Sequence, residues 1–309
     1  MEGDPAPAPD RSRPVPARRR PRPSRPRPVR PGRAAATLTV LALLLLGGCA
    51  AEPGVSSLRT ADTAVTAADP GHEAAVEELA AGVPGELGLV VLDPDGRPVV
   101  TRAAERSFTS ASLYKLFVAH AVLERVDRGE AALSDPVPGT ALTVAQALDA
   151  MITWSDNASG AALGGQLGWD ALEDSARAHG FTTTTFDPGT GEDGIVAMTT
   201  TPDDVADLLE RLRRGRLLSP ASTELFLGLL RDQHLDYALS SGLSAGTEFA
   251  HKTGLLEDVS HDAGLLRTGG REHVVVVLTD GWDGFEASRP WFRQAGPVIE
   301  DLLDPVPGA

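Results

Sequence analysis

Lysine, asparagine and cysteine are nearly missing from this chain of 309 residues, which holds two Lys, one Asn and one Cys. The single cysteine, Cys49, excludes a disulfide within the chain. Positive charge at neutral pH is left almost wholly to arginine, with Lys115 and Lys252 the only lysines. No apolar stretch reaches the roughly 20 residues that a membrane-spanning helix needs. No convergent His, Cys or Asp spacing marks a metal site, so no metal and no cofactor is expected. The net charge is −15 although residues 1–36 hold ten Arg against three acids, so the main body is strongly acidic. Phosphates would be repelled by that body, and nucleic-acid binding is not expected.

The basic head leads into an uncharged apolar run at 34–48 and then Cys49. That run suits the h-region of an export signal. Residues 1–48 are therefore read as a leader, and 49–70, rich in Ala, Thr, Ser and Asp, as a flexible linker. The folded domain is expected over 71–305. Within it, His72–Val83 has a helical apolar face, and Leu87–Leu92 and Pro98–Arg102 read as strands around an Asp93-Pro94-Asp95-Gly96 turn. Ser110–Gly129 reads as a helix with serine caps at its start. A helical block spans about 130–232, with segments at Thr143–Trp154, Asp156–Leu167, Trp169–His179, Pro202–Arg214 and Pro220–Arg231. Thr182–Thr201 is a long polar loop, a form that is often functional. Strands return at Glu248–Lys252, Ala263–Arg267 and His273–Thr279, and Pro290–Leu303 closes as a helix. The pattern predicts an α+β domain: an antiparallel sheet of about five strands, flanked by helices, with an inserted all-helical part.

The scarce residues fall inside three short motifs. Ser112-Leu113-Tyr114-Lys115 places a hydroxyl and an amine at i and i+3, on one helix face. A serine is a weak nucleophile until a base takes its proton, and a lysine is such a base only when neutral. Burial or a second cation would lower its pKa, and Lys252 is the candidate cation. Arg cannot take this role because it does not give up its proton. The plain alternative is a capping serine followed by a solvated lysine. Ser155-Asp156-Asn157 follows an apolar run; it reads either as a helix end and restart or as a proton relay at Ser155 with an amide grip at Asn157. Lys252-Thr253-Gly254 ends a strand, where Gly254 would permit close approach of a substrate and the Lys and Thr would bind a carboxylate. An edge-strand lysine before a turn is the plain alternative there. His261-Asp262 is expected to support the neighbouring strand, and Trp282, just after a strand, is expected near a site mouth.

Taken together and in this order, the three motifs resemble those of the penicillin-recognising serine enzymes, and the chain from about 71 to 305 resembles their class A β-lactamase branch. His251–Gly254 with Ser260–Gly264, and Thr199-Thr200-Thr201-Pro202, are similar to segments of that group. The resemblance implies that Ser112 is the acylated nucleophile and Lys115 its base, and that Ser155 passes a proton to the β-lactam nitrogen. It implies that Asn157 contacts the substrate's side-chain amide, that Lys252 and Thr253 hold its carboxylate, and that the backbone N–H groups of Ser112 and Leu255 form an oxyanion hole. One departure stands out. The Glu-x-x-Leu-Asn segment that carries the deacylating base in class A enzymes is missing, and Glu192 is the candidate replacement. Without such a base the chain would be a DD-peptidase or slow penicillin-binding protein acting on peptidoglycan stem peptides. A non-catalytic extracytoplasmic binding lipoprotein is the reading from another class. Leu46-Gly47-Gly48-Cys49 resembles a lipobox, which implies lipidation of Cys49, export, and anchoring at the outer face of the bacterial cytoplasmic membrane. The domain is read as a monomer whose partner is a small-molecule substrate.

Overall fold

A computed structural model describes residues 65–67, 69–187 and 198–303. Cys49 and Glu192, and with them the lipidation and deacylation expectations, lie outside the described residues. A two-residue strand, β1 (Thr66–Ala67), precedes helix α1 (Pro70–Ala81), so ordered pairing begins within the stretch read as linker. Asp69 caps α1 by accepting from the Gly71 N–H, and Pro70 fills its first turn, where a missing N–H costs nothing. The hairpin follows as β2 (Leu87–Leu92) and β3 (Pro98–Arg102). After β4 (Phe108–Thr109), a 3-10 turn over Ala111–Leu113 leads directly into α2 (Tyr114–Asp127). The serine cap expected there is not made, because Ser110 has no side-chain bond to the helix start.

The helical block is α3 (Val144–Thr153), α4 (Asn157–Leu167), α5 (Trp169–Ala178), α6 (Pro202–Arg213) and α7 (Pro220–Arg231), with β5 (Thr199–Thr200) before α6. Thr143, Asp156, Thr201 and Ser219 cap α3, α4, α6 and α7, each accepting from a first-turn N–H, whereas α5 starts at Gly168 without a side-chain cap. Three long strands come next, β6 (Glu248–Leu255), β7 (Ser260–Thr268) and β8 (Arg271–Thr279), and α8 (Phe285–Leu303) ends the described chain.

The main sheet has six strands in the order β1-β3-β2-β8-β7-β6, every pairing antiparallel, one strand more than expected. The small β4–β5 pair stands apart. Both faces of the sheet are covered, which is why Val274–Val277 forms an unbroken apolar run. One face carries Val90, Val274, Val276 and Leu278 against α2 and α6. The other carries Leu89, Val91, Val275 and Val277 against α1 and α8. The strand alternation of period two therefore decides which β6 residues meet the helical block. Ala250 lies in the core of that block and Phe249 packs on the opposite face, so Lys252 and Gly254 face the block while His251 and Thr253 face away.

Candidate active site

Two local strains build the start of the site. Ala111 has φ +45° and Ser155 has φ +56°, a left-handed conformation that costs about 1–3 kcal/mol for residues other than glycine. The first turns the chain from β4 into the 3-10 turn that presents Ser112. The second breaks the path between α3 and α4, so that the Ser155 carbonyl and hydroxyl both point at Lys115. Nζ of Lys115 lies 3.2 Å from Ser112 Oγ, 2.6 Å from Ser155 O, 3.2 Å from Ser155 Oγ and 2.7 Å from Asn157 Oδ1. Two motifs separated by forty residues thus meet at one amine.

The third motif closes against them. Gly254 stands directly beside Leu113, the neighbour of Ser112: a Cβ on Gly254 would lie 3.3 Å from Leu113 Cγ and 3.1–3.2 Å from His261. Packing inside the protein therefore leaves little room for a side chain at Gly254. Gly160 on α4 plays a matching part, since a Cβ there would come within 2.6 Å of the Tyr114 hydroxyl and 3.0 Å of Lys115 Cε.

Lys115 and Lys252 are both fully buried. Burial lowers the Lys115 pKa to about 8, with the Asp156 carboxylate pulling the other way. Lys252 is not among the groups that lower the Lys115 pKa; its own is lowered well below the ordinary lysine value by burial and then by Lys115, with the Asp262 carboxylate pulling the other way. Its one hydrogen bond runs from Nζ to the Thr253 carbonyl, 2.8 Å. Thr253 is equally buried and lies on the opposite face of β6 from Lys252. Its Oγ1 has no partner at hydrogen-bonding geometry, although the Tyr237 phenol is near enough to interact with it. Ser112 and Ser155 are half-buried, Leu255 is half-buried, and Asn157 is exposed. Burial and Asp156 raise the Tyr114 phenol to about 12, so it stays protonated beside the lysine.

The histidines support the frame. His261 Nδ1 accepts from the Thr279 N–H at 3.1 Å, which places its proton on Nε2, and Nε2 donates to the Thr109 carbonyl at 2.7 Å. The ring thereby ties β8 to the segment just ahead of Ser112. Asp262 faces the other way, holding His251 Nδ1 at 2.7 Å and accepting the Leu239 N–H at 3.0 Å. Trp282 is not at a mouth. It is buried on the far face of the sheet, where its Nε1 donates to Thr279 Oγ1.

A sequence model described as the beta-lactamase enzyme family matches residues 72–303. The chain belongs to that family. Beta-lactamase FAR-1 of Nocardia farcinica is 30% identical over 280 residues, covering 81% of this chain and 85% of that protein. The beta-lactamase of Streptomyces fradiae is 31% identical over 222 residues, covering 62% of this chain and 72% of that one. Among solved structures, an ancestral class A beta-lactamase is 29% identical with a TM-score of 0.66, covering 74% of this chain and 99% of that one. PBP-A, 24% identical with a TM-score of 0.64 over 75% of this chain and 97% of its own, shares the fold. The membership makes this β-lactamase-family chain a hydrolase; two of its motifs meet at one buried amine, and the third packs beside Leu113.

Proposed function

We propose that the chain opens β-lactam rings through an acyl-enzyme on Ser112. The reading rests on one observation: Lys115 Nζ is within hydrogen-bonding reach of Ser112 Oγ while burial holds its pKa near 8. A neutral amine has two N–H groups and one lone pair. The two nearest atoms, Ser155 O and Asn157 Oδ1, can only accept, so they take both N–H groups. The lone pair is left for a hydroxyl proton, and Ser112 Oγ is in range. Ser112 Oγ then bonds to the lactam carbonyl carbon as its proton passes to Lys115. When the C–N bond breaks, the nitrogen takes the Ser155 hydroxyl proton, and Lys115 returns its proton to Ser155 Oγ, 3.2 Å away. Asn157 contacts the substrate amide, and the backbone N–H groups of Ser112 and Leu255 stabilise the oxyanion.

Water must then release the acyl group, with Glu192 as its base. The missing Glu-x-x-Leu-Asn segment favours a second reading, a slow penicillin acceptor or DD-peptidase with the same first step. Intact-mass spectrometry after benzylpenicillin treatment should give one adduct on the native chain and none on Ser112→Ala; an unchanged adduct on the variant removes the nucleophile. Sustained turnover of a chromogenic cephalosporin identifies the lactamase, whereas a burst followed by a stall identifies the acceptor. We also propose that Cys49 is lipidated and anchors the exported domain as a monomer; fractionation of Cys49→Ser away from the membrane checks it.

A further inference from the structure

Large apolar side chains are covered throughout the described residues, with Trp154 the exception at 59% exposed. Its indole is matched to the imidazole of His234, centroids 4.0 Å apart and planes 25° apart. The stack does not depend on the rings alone. The His234 N–H donates to the Thr153 carbonyl at 3.0 Å, Gln233 Nε2 donates to the Ile152 carbonyl at 2.9 Å, and Gln233 Oε1 accepts the Leu235 N–H at 3.1 Å. The segment 233–235 is thereby fastened to the last turn of α3, and both rings are fixed. His234 is itself exposed. Trp154 is the residue immediately before Ser155, so its backbone is one peptide away from the group whose carbonyl and hydroxyl meet Lys115.

We propose that Trp154 and His234 form an aromatic wall beside Ser155 that selects β-lactams bearing a planar aromatic substituent on the ring fused to the lactam. The inference rests on the acylation reading above and deepens it. In that reading Ser155 serves the leaving nitrogen and Asn157 serves the side-chain amide. A wall next to Ser155 therefore meets the fused ring, at the C3 position of a cephalosporin, and leaves the acyl side chain to other residues. An exposed ring already stacked on one side has lost its orientational freedom before the substrate arrives, so a second plane is received at lower entropic cost. Ring pairs of this kind contribute enough for about a two- to tenfold preference.

Two cephalosporins with the same C7 side chain test it, one with a neutral heteroaryl-thiomethyl group at C3 and one with methyl. Binding is read by tryptophan fluorescence in Ser112→Ala, which cannot be acylated. The aryl compound should bind about two- to tenfold more tightly than the methyl compound. That ratio should fall to one in Ser112→Ala/Trp154→Ala and return with Trp154→Phe. On chains with Ser112 intact, the ratio of KM for the pair should follow the same order. A preference that survives Trp154→Ala, or that is absent from the start, overturns the wall. A wall that merely braced the 233–235 segment would lower the melting temperature without changing the ratio, and that result also overturns it. A preference without an adduct on the native chain sinks the Ser112 reading alone; an adduct without a preference sinks the wall alone.

Discussion

Lys115 and Lys252 are alike in side chain, burial and lowered pKa, yet their surroundings differ in every respect that governs what a lysine can do. Lys115 is ringed by oxygen: two hydroxyls, a carbonyl and an amide oxygen are within 3.2 Å, and the Asp156 carboxylate adds its field. Lys252 has one carbonyl acceptor among the described residues, with the Asp262 carboxylate adding its field there. A protonated amine is therefore bearable at 115 and costly at 252. The first is poised between two states near neutral pH, as a general base must be, while burial and the Lys115 charge both act against protonation of the second.

Paired substitutions should break this likeness in opposite directions. Arginine cannot lose its proton, so at 252 it buries a charge with one acceptor and should cost about 3–5 kcal/mol. Methionine at 252 keeps the volume and needs no partner, for less than about 1.5 kcal/mol. At 115 the order reverses. Arginine finds acceptors waiting, whereas methionine strands Ser155 O and Asn157 Oδ1 at about 1–3 kcal/mol. Urea unfolding of the four variants measures both orders, and the same order at both positions would show that the two neighbourhoods do not differ as described. Penicillin acylation should fall by about 10²–10⁴ in either 115 variant, because the base is gone.

A pH series sharpens the Lys115 side of the comparison. With a pKa of about 8, the neutral amine is the minority form below that pH. The acylation rate should rise tenfold per unit up to about pH 8 and then level, by the ordinary titration of a single base. Asp156 raises the Lys115 pKa, so Asp156→Asn should lower it further and move the limb to lower pH. Asparagine can still accept the Ser159 N–H and cap α4, which separates charge from folding. A limb that stays in place would remove Asp156 as the partner of the base.

Much of this was legible before any coordinates. Leu87–Leu92 and Pro98–Arg102 have the bounds their patterns predict, and the helical block contains the five helices expected of it. β6 and β7 extend further than expected because Thr253–Leu255 pairs with Ser260–Asp262. Buried Ser260, His261 and Asp262 look like loop residues until their partners are known. β1, β4 and β5 are two residues each, too short to show any period. The three motifs announced the site, since rare residues marked each of them. Other parts left no local trace. The left-handed turns at Ala111 and Ser155 need no glycine in the sequence, and the His261 bridge joins Thr109 to Thr279 across the fold. The pairing of Trp154 with His234 depends on two loops meeting, so Trp282 was the tryptophan that sequence position favoured.

A third buried cation-to-be, His120, gives the smallest effect. Its Nε2 has no partner among the described residues, and its ring stands edge-on to His179, centroids 4.7 Å apart. Burial, then His179, Arg211 and Arg128, lower its pKa to about 3. Between pH 3 and its ordinary value of 6.5 the unfolded chain binds the proton and the native one does not. Native stability is therefore lost as pH falls through that window, by at most about 1.4 kcal/mol per unit from this group. His120→Phe removes both the titration and the orphaned nitrogen. Stability measured at pH 5 and pH 7 should differ less in the variant than in the native chain. His261, also lowered by burial, keeps its own share of the acid loss. An unchanged difference would mean that His120 finds a proton acceptor in the folded protein, and that an amine or imidazole here can carry charge without the ring of oxygens that Lys115 has.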